Sequence, residues 1–161
     1  MSFKKLSPDV LRKHKGTSFV GVVTCFILYD KNGEFYMAKR SKNARDEHGR
    51  WEFPGGGLKF GQSAEENALR EMHEESNAKP KKLEFLGYRD IFRKLENGTP
   101  THWLALDFAA LVDRSQVKIN EPDMVDEDGW FTLSNLPSPR HSQNDKFMDA
   151  HKDRLKVLLK T

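Results

Sequence analysis

One helix-sized stretch constrains this chain more than any other. Residues 63–76 contain Arg70-Glu71-Met72-His73-Glu74-Glu75, with Glu71, Glu74 and Glu75 at i, i+3 and i+4. That spacing places three carboxylates on one face of an α-helix. Ala68, Leu69 and Met72 occupy a neighbouring face that can be buried against a sheet. Like charges side by side repel, and no lysine lies within the helix to balance them. Hard divalent cations take such oxygens together with substrate phosphates, so the pattern points to metal-assisted chemistry. Ser63 followed three residues on by Glu66 is a capping box that starts the helix, and Asn77 suits the left-handed residue that ends it. Just upstream, Gly55-Gly56-Gly57 lets backbone approach a ligand closely. His73 is two residues from Glu71, which turns it off the carboxylate face, and it reads as a solvated histidine.

The rest of the chain alternates strands and helices. Residues 3–17 form a basic arm or short helix around 9–13; its lysines and arginines, Lys4 and Lys5 among them, are too few to make a nucleic-acid track. Residues 18–29 are β-branched and aromatic, the composition of a buried strand. Asp30-Lys-Asn-Gly33 turns the chain into a returning strand over 34–40. A polar loop over 41–49 leads to a short strand at 51–53, which Pro54 and the glycine run break. Residues 79–82 read as a solvated loop. Residues 83–93 and 101–113 form a hairpin around Glu96-Asn-Gly98. An acidic loop over 121–128, a strand at 130–131 and the break Pro137-Ser-Pro139 follow. An amphipathic helix over 143–160 completes the chain. There is no repeat and no linker, so the reading is one domain over 1–161, with an arm at 1–17 and a C-terminal helix within 140–161. Leu155, Val157, Leu158 and Leu159 form a packing face, with a homodimer contact as the alternative. Trp103, Phe108 and Trp130 read as core aromatics before base-stacking ones, and Trp51 fits either role.

Composition narrows the function classes. At 161 residues the length suits one domain. Leu, Ile, Val and Phe make up about 24 % of the chain, above the ~20 % below which charged chains stay disordered. Lys plus Arg is 27 against 24 Asp plus Glu, a net charge of +3, too small a surplus for a nucleic-acid polymer or membrane field. Cys25 is the only cysteine, which excludes a disulfide framework and a cysteine zinc site. No apolar stretch approaches the ~20 residues of a membrane span, and the first residues lack an apolar signal core. The expectation is a soluble cytoplasmic protein.

At this point the sequence resembles the Nudix hydrolases, whose box reads G-x5-E-x7-R-E-U-x-E-E-x-G-U with U apolar. Gly56, Arg70, Glu71, Met72, Glu74, Glu75 and Ala78 match it. Gln62 stands where the family has Glu, and Asn77 where it has Gly. Trp51-Glu-Phe-Pro-Gly-Gly56, the preceding strand ending in Ala38-Lys-Arg40, Glu121-Pro-Asp123 and the segment from Trp130 to Pro137 look like the MutT branch. The resemblance implies an α/β/α sandwich with a mixed sheet between helices, using Mg²⁺ or Mn²⁺ on a small-molecule nucleotide. It implies that Glu74 and Glu75 ligate metal together with the Gly56 carbonyl. Glu71 would bind metal or take the proton from water, oriented by Arg70. Gln62 would reach the outer edge of the metal site at most. Glu121 is the candidate for a further carboxylate from a loop, and Arg40, with Gly55 and Gly56, for contact with substrate.

Three functions follow from that resemblance. The leading one is a MutT-type pyrophosphohydrolase converting a (d)NTP to a nucleoside monophosphate and pyrophosphate, favoured by the compact length. The second is an ADP-ribose or nucleotide-sugar pyrophosphatase. The third, suggested only by Gln62, is a catalytically weak binding or regulatory module of the same fold. The base is not readable from the box.

Overall fold

Residues 26–29 are apolar without alternation, the pattern of a strand covered on both faces. The computed structural model, which describes residues 7–159, shows why. In strand β1 (Gly21–Tyr29) Phe26 and Leu28 enter one core while Ile27 and Tyr29 enter another. Successive side chains of a strand point to opposite faces, so a single run feeds two layers. Lys4 and Lys5 of the expected arm, and the last residues of the expected C-terminal helix, lie outside the described residues.

The strands form one seven-stranded mixed sheet. On one side β1 runs parallel to β6 (Pro100–Leu111), from Gly21 opposite Trp103 to Tyr29 opposite Leu111. Strand β6 closes an antiparallel hairpin with β5 (Lys82–Lys94), and Gly98 takes a positive φ of 80° in its turn. On its other side β1 meets β2 (Phe35–Arg40) at Tyr29 and Phe35. Strand β2 pairs antiparallel with β3 (Trp51–Glu52) and with β7 (Val125–Phe131). The glycine run, expected to break a strand and to let backbone approach a ligand, is itself strand β4 (Gly55–Gly57), antiparallel to β1 with Gly56 opposite Thr24.

Helices cover both faces, giving the expected α/β/α sandwich. Ala68 and Met72 of α2 (Ala64–Ser76) pack with Phe26, Leu28, Tyr36 and Phe108. Phe147 of α3 (Asn144–Ala150) and Leu155 of α4 (Lys152–Leu158) pack on the other face with Ile27, Phe35, Met37 and Phe53. Phe147 and Leu155 are each 1 % exposed, and burial of such side chains contributes about 1.5–3 kcal/mol apiece. Helix α1 (Pro8–His14) buries none of its residues.

Four local expectations change. The acidic stretch 121–128 is only partly loop, because Val125 onward joins β7, where Lys39 pairs with Glu127 at 2.7 Å. The C-terminal helix is two helices meeting at His151; the His151 Nε2 lies 2.7 Å from the buried Asp107 carboxylate. Leu69 is exposed, since the buried stripe runs through Ala68, Met72 and Ser76 four residues apart, and Asn67 is buried in its place. Val157 is likewise exposed, while Leu155 and Leu159 are buried.

Candidate active site

Helix α2 begins and ends where its local chemistry dictates. The Glu66 backbone N–H donates to Ser63 Oγ at 3.2 Å, and the Ser63 N–H donates to the Glu66 carboxylate at 2.8 Å. Asn77 adopts the left-handed conformation, with φ 53°. Between these ends the carboxylate face lies directly against β4. A Cβ on Gly56 would overlap the Glu71 carboxylate, and one on Gly55 would overlap the Thr24 carbonyl. Only glycine lets strand and helix approach this closely. The Gly55 N–H donates to Glu75 Oε2 at 3.2 Å.

The fourth carboxylate arrives from a distant segment. Lys118 N–H donates to the Ser76 carbonyl and Asn120 N–H to that of Glu75, while the Asn120 amide donates to the carbonyls of His73 and Glu74. These bonds satisfy carbonyls that a helix C-terminus otherwise leaves open, and they deliver Glu121 beside the α2 carboxylates. Burial, then repulsion from Glu52, Glu71 and Glu121, holds the Glu75 carboxyl well above the usual range. Burial, then Glu71 and Glu74, raises Glu121.

Arg70 organises this face. Its guanidinium donates to Glu74, to Glu71 at 2.7 Å, to Asn67 Oδ1 at 2.6 Å and to Gln62 Oε1 at 3.1 Å. Gln62 therefore stands behind Arg70. The Gly56 carbonyl accepts from Thr24 Oγ1 at 3.3 Å and from Asn67 Nδ2 at 3.4 Å. His73 is exposed, as expected. Arg40 is more engaged than a free strand-end arginine. Its Nη1 contacts both Glu52 oxygens at 2.7 Å, and Nε and Nη2 bond the Asp46 carbonyl and carboxylate at 2.7 and 3.1 Å.

Three residues at this site escape a sequence reading. Asn67 links α2 to Thr24, Gly56, Lys59 and Arg70; its one signal is position i−4 from Glu71. Glu52 sits on β3, and burial raises its carboxyl against the pull of Arg40. Lys15 follows α1, donates to the Leu58 carbonyl at 2.9 Å and lies over the Trp103 ring. Burial lowers its ammonium, and Glu71 pulls the other way. No local pattern marks Lys15 or Glu52, because both are brought in by sheet pairing and chain packing. Trp51 and Phe108 are core residues, Trp130 packs edge-on against Tyr36, and Trp103 stays half-buried.

Beside β4 lies a cavity of about 320 Å³, reached by Glu52, Gly55, Gly56, Gly57 and Trp103. On the α2 side of β4, Glu71, Glu75 and Glu121 are close enough to repel one another, and carboxylate oxygens suit a hard divalent cation rather than a soft one. A mixed sheet between helices, with a glycine strand laid against a carboxylate helix, defines a Nudix-type hydrolase. The NUDIX domain model matches residues 19–151, and the chain belongs to that family. An RNA pyrophosphohydrolase of Acinetobacter baylyi is 29 % identical over 120 residues, covering 66 % of this chain and 69 % of the relative. A MutT NUDIX hydrolase structure from Burkholderia pseudomallei superposes with a TM-score of 0.71 at 25 % identity, covering 82 % of this chain and 98 % of the other. The NUDIX domain of Shewanella oneidensis NrtR, solved with ADP ribose, shares the fold at a TM-score of 0.67 and 17 % identity, covering 93 % and 99 %. Among the described residues no helix is long and apolar enough to cross a membrane.

Proposed function

We propose that this Nudix hydrolase cleaves a pyrophosphate bond of a small nucleotide, taking a (d)NTP and water to a nucleoside monophosphate and pyrophosphate. The observation that carries the reading is that Glu71 and Glu75 lie against the glycine strand lining the cavity, with Glu121 close enough to repel Glu75. Glu74, Glu75, Glu121 and the Gly56 carbonyl would hold Mg²⁺ or Mn²⁺. Such a cation, when bound, supplies charge neutralisation for the phosphates and lowers the cost of generating a nucleophile from water.

The chain's own residues do the remaining work. Glu71 accepts the proton of the attacking water, and Arg70 fixes the carboxylate that does so. Asn67 and Thr24 hold the Gly56 carbonyl in place through hydrogen bonds. Lys15 adds a cation on the glycine side, suited to a phosphate oxygen. Arg40 contacts phosphate by exchanging part of its bonding to Asp46 or Glu52.

The test is incubation with Mg²⁺ and a panel of nucleotides, with the products identified. Pyrophosphate and a monophosphate from an NTP support this reading. AMP and ribose phosphate from ADP-ribose would replace it with the nucleotide-sugar reading. No turnover on any substrate would leave a binding module, with Gln62 as its mark.

A further inference from the structure

Glu121 stands in a turn, with the Met124 N–H donating to its carbonyl at 3.0 Å, and the chain is fastened on both sides of it. Downstream, the Asp123 carbonyl accepts from Ser41 Oγ at 2.6 Å and from Asn43 Nδ2 at 2.9 Å. The Met124 carbonyl accepts from the Ser41 N–H at 3.0 Å. Upstream, residues 116–120 are tied to the end of α2. The Lys118 and Asn120 N–H groups donate to the carbonyls of Ser76 and Glu75. Asparagine side chains add to these backbone bonds. Asn120 Nδ2 donates to the carbonyls of His73 at 3.3 Å and Glu74 at 3.1 Å, and Asn77 Nδ2 donates to the Gln116 carbonyl at 3.1 Å.

Electrostatics opposes this placement. Burial and then repulsion from Glu71 and Glu74 raise the Glu121 carboxyl, so an unfastened turn would carry its charge away from α2 whenever no cation lies between them. Asn77 supplies more than a helix end requires. Its φ of 53° is left-handed, a conformation that glycine takes without strain, and the family's box has Gly there. What asparagine adds is an amide donor that reaches the short 3₁₀ turn Arg114–Gln116. The next residue, Val117, packs against the core beneath α2. Asn120 adds a donor in the same way, and its amide covers carbonyls that a helix C-terminus leaves open.

We propose that Asn77 and Asn120 are positioning residues that fasten residues 116–121 to the end of α2 and so keep Glu121 beside Glu71 and Glu74 before a cation binds. The proposal rests on the reading of Glu121 as a metal ligand given above, and adds how that ligand is held in advance. A site whose ligands are already in place binds without first ordering a loop.

Asn77→Gly is the sharpest test, because it keeps the left-handed helix end and deletes only the tether. In the whole protein without metal, hydrogen exchange of the Lys118 and Asn120 amides should quicken about three- to tenfold, the reach of one hydrogen bond. Exchange within α2 and the melting temperature should hold. Affinity for Mn²⁺, read by electron paramagnetic resonance without nucleotide, should fall at least about threefold in Asn77→Gly and about tenfold or more in Asn120→Ala. If Asn77→Gly loosens α2 itself, Asn120→Ala, outside the helix, carries the same test. Unchanged exchange in both variants, or faster exchange with unchanged Mn²⁺ affinity, overturns the proposal and leaves the hydrolase reading standing. No Mn²⁺ binding by the wild-type protein overturns the metal reading and this proposal together. Affinities that respond as expected, without hydrolysis of any nucleotide, would sink the pyrophosphohydrolase reading alone.

Discussion

On the proposed reading, Glu75 is the residue at which folding and function conflict. Its partly buried carboxyl is repelled by Glu52, Glu71 and Glu121, an arrangement that costs stability and that the proposed cation would relieve. Glu75→Gln removes the charge with little change in helix propensity. Turnover should fall at least ~10²-fold, the scale of losing an electrostatic contact made in the transition state. The melting temperature measured without metal should hold or rise, because repulsion is relieved. Turnover within a few-fold of wild type at saturating Mg²⁺ would refute the assignment. Gln62 poses a milder question. Its oxygen accepts from Arg70 Nε, so Gln62→Glu offers Arg70 a further carboxylate and loosens its hold on Glu71 and Glu74. The Mg²⁺ concentration for half-maximal rate should fall by roughly 10-fold or more, the usual reach of a residue supporting metal ligands. Superimposable Mg²⁺ titrations of the two proteins would show that Gln62 lies outside the site's influence.

At the scale of elements, strand ends and loops hold the site's walls. Arg40 closes β2 and ties the 41–50 loop to β3 through Asp46 and Glu52. Arg40→Ala leaves the partly buried Glu52 without its cation, and a broken pair of this kind is destabilising because an uncompensated charge remains. The expectation is a lower melting temperature together with a rise in KM larger than that of Lys42→Ala or Arg45→Ala. A KM effect with an unchanged melting temperature would make Arg40 purely a phosphate ligand; equal KM effects in all three variants would reduce it to diffuse attraction. The capping box of α2 has the same double meaning: Ser63 and Glu66 fix the register that sets Glu71 against Gly56.

At the scale of the whole molecule, the loop, the hairpin and the C-terminal helices are joined by charged networks. Arg89, Asp107 and His151 link β5, β6 and the junction of α3 and α4. Arg93, Asp46, Glu47, Ser142 and His141 link β5 to the two long loops. Burial, with Arg93 and Arg40 nearby, holds His141 down to about 4, although Glu47 and Asp46 pull it up. Its Nδ1 accepts the Gln143 N–H, a bond that only the neutral ring makes. The unfolded chain protonates histidine near 6.5, so it binds more protons than the fold between about 4 and 6.5. Stability is therefore complete above that window and lost as pH falls through it. Burial pushes the Glu47 carboxyl up, but hydrogen bonds from Ser142 and the charge of Arg93 hold it low, so it adds loss in the same direction on acidification. Melting temperatures across pH 4 to 7 should show this decline, and His141→Gln should flatten it. A decline of equal steepness in the variant would assign it to other groups.

The helix with its three glutamates, its caps at Ser63 and Asn77 and the hairpin around Gly98 were legible without coordinates, because each depends on residues three to five apart. The β-branched and aromatic run over 18–29 also announced a buried strand, while the sandwich came from the resemblance to the Nudix family. Tertiary structure decided what depends on partners distant in the chain. The acidic stretch became a strand because β2 offered it a ladder, and the last helix broke at His151, whose ring meets Asp107. Arg40 was drawn to Glu52 and Asp46, while Lys15 and Glu121 reached the site from segments far from the box. Local hydrogen bonds and helical spacing are written in neighbouring residues, whereas burial and charge pairing belong to whichever segments the fold brings together.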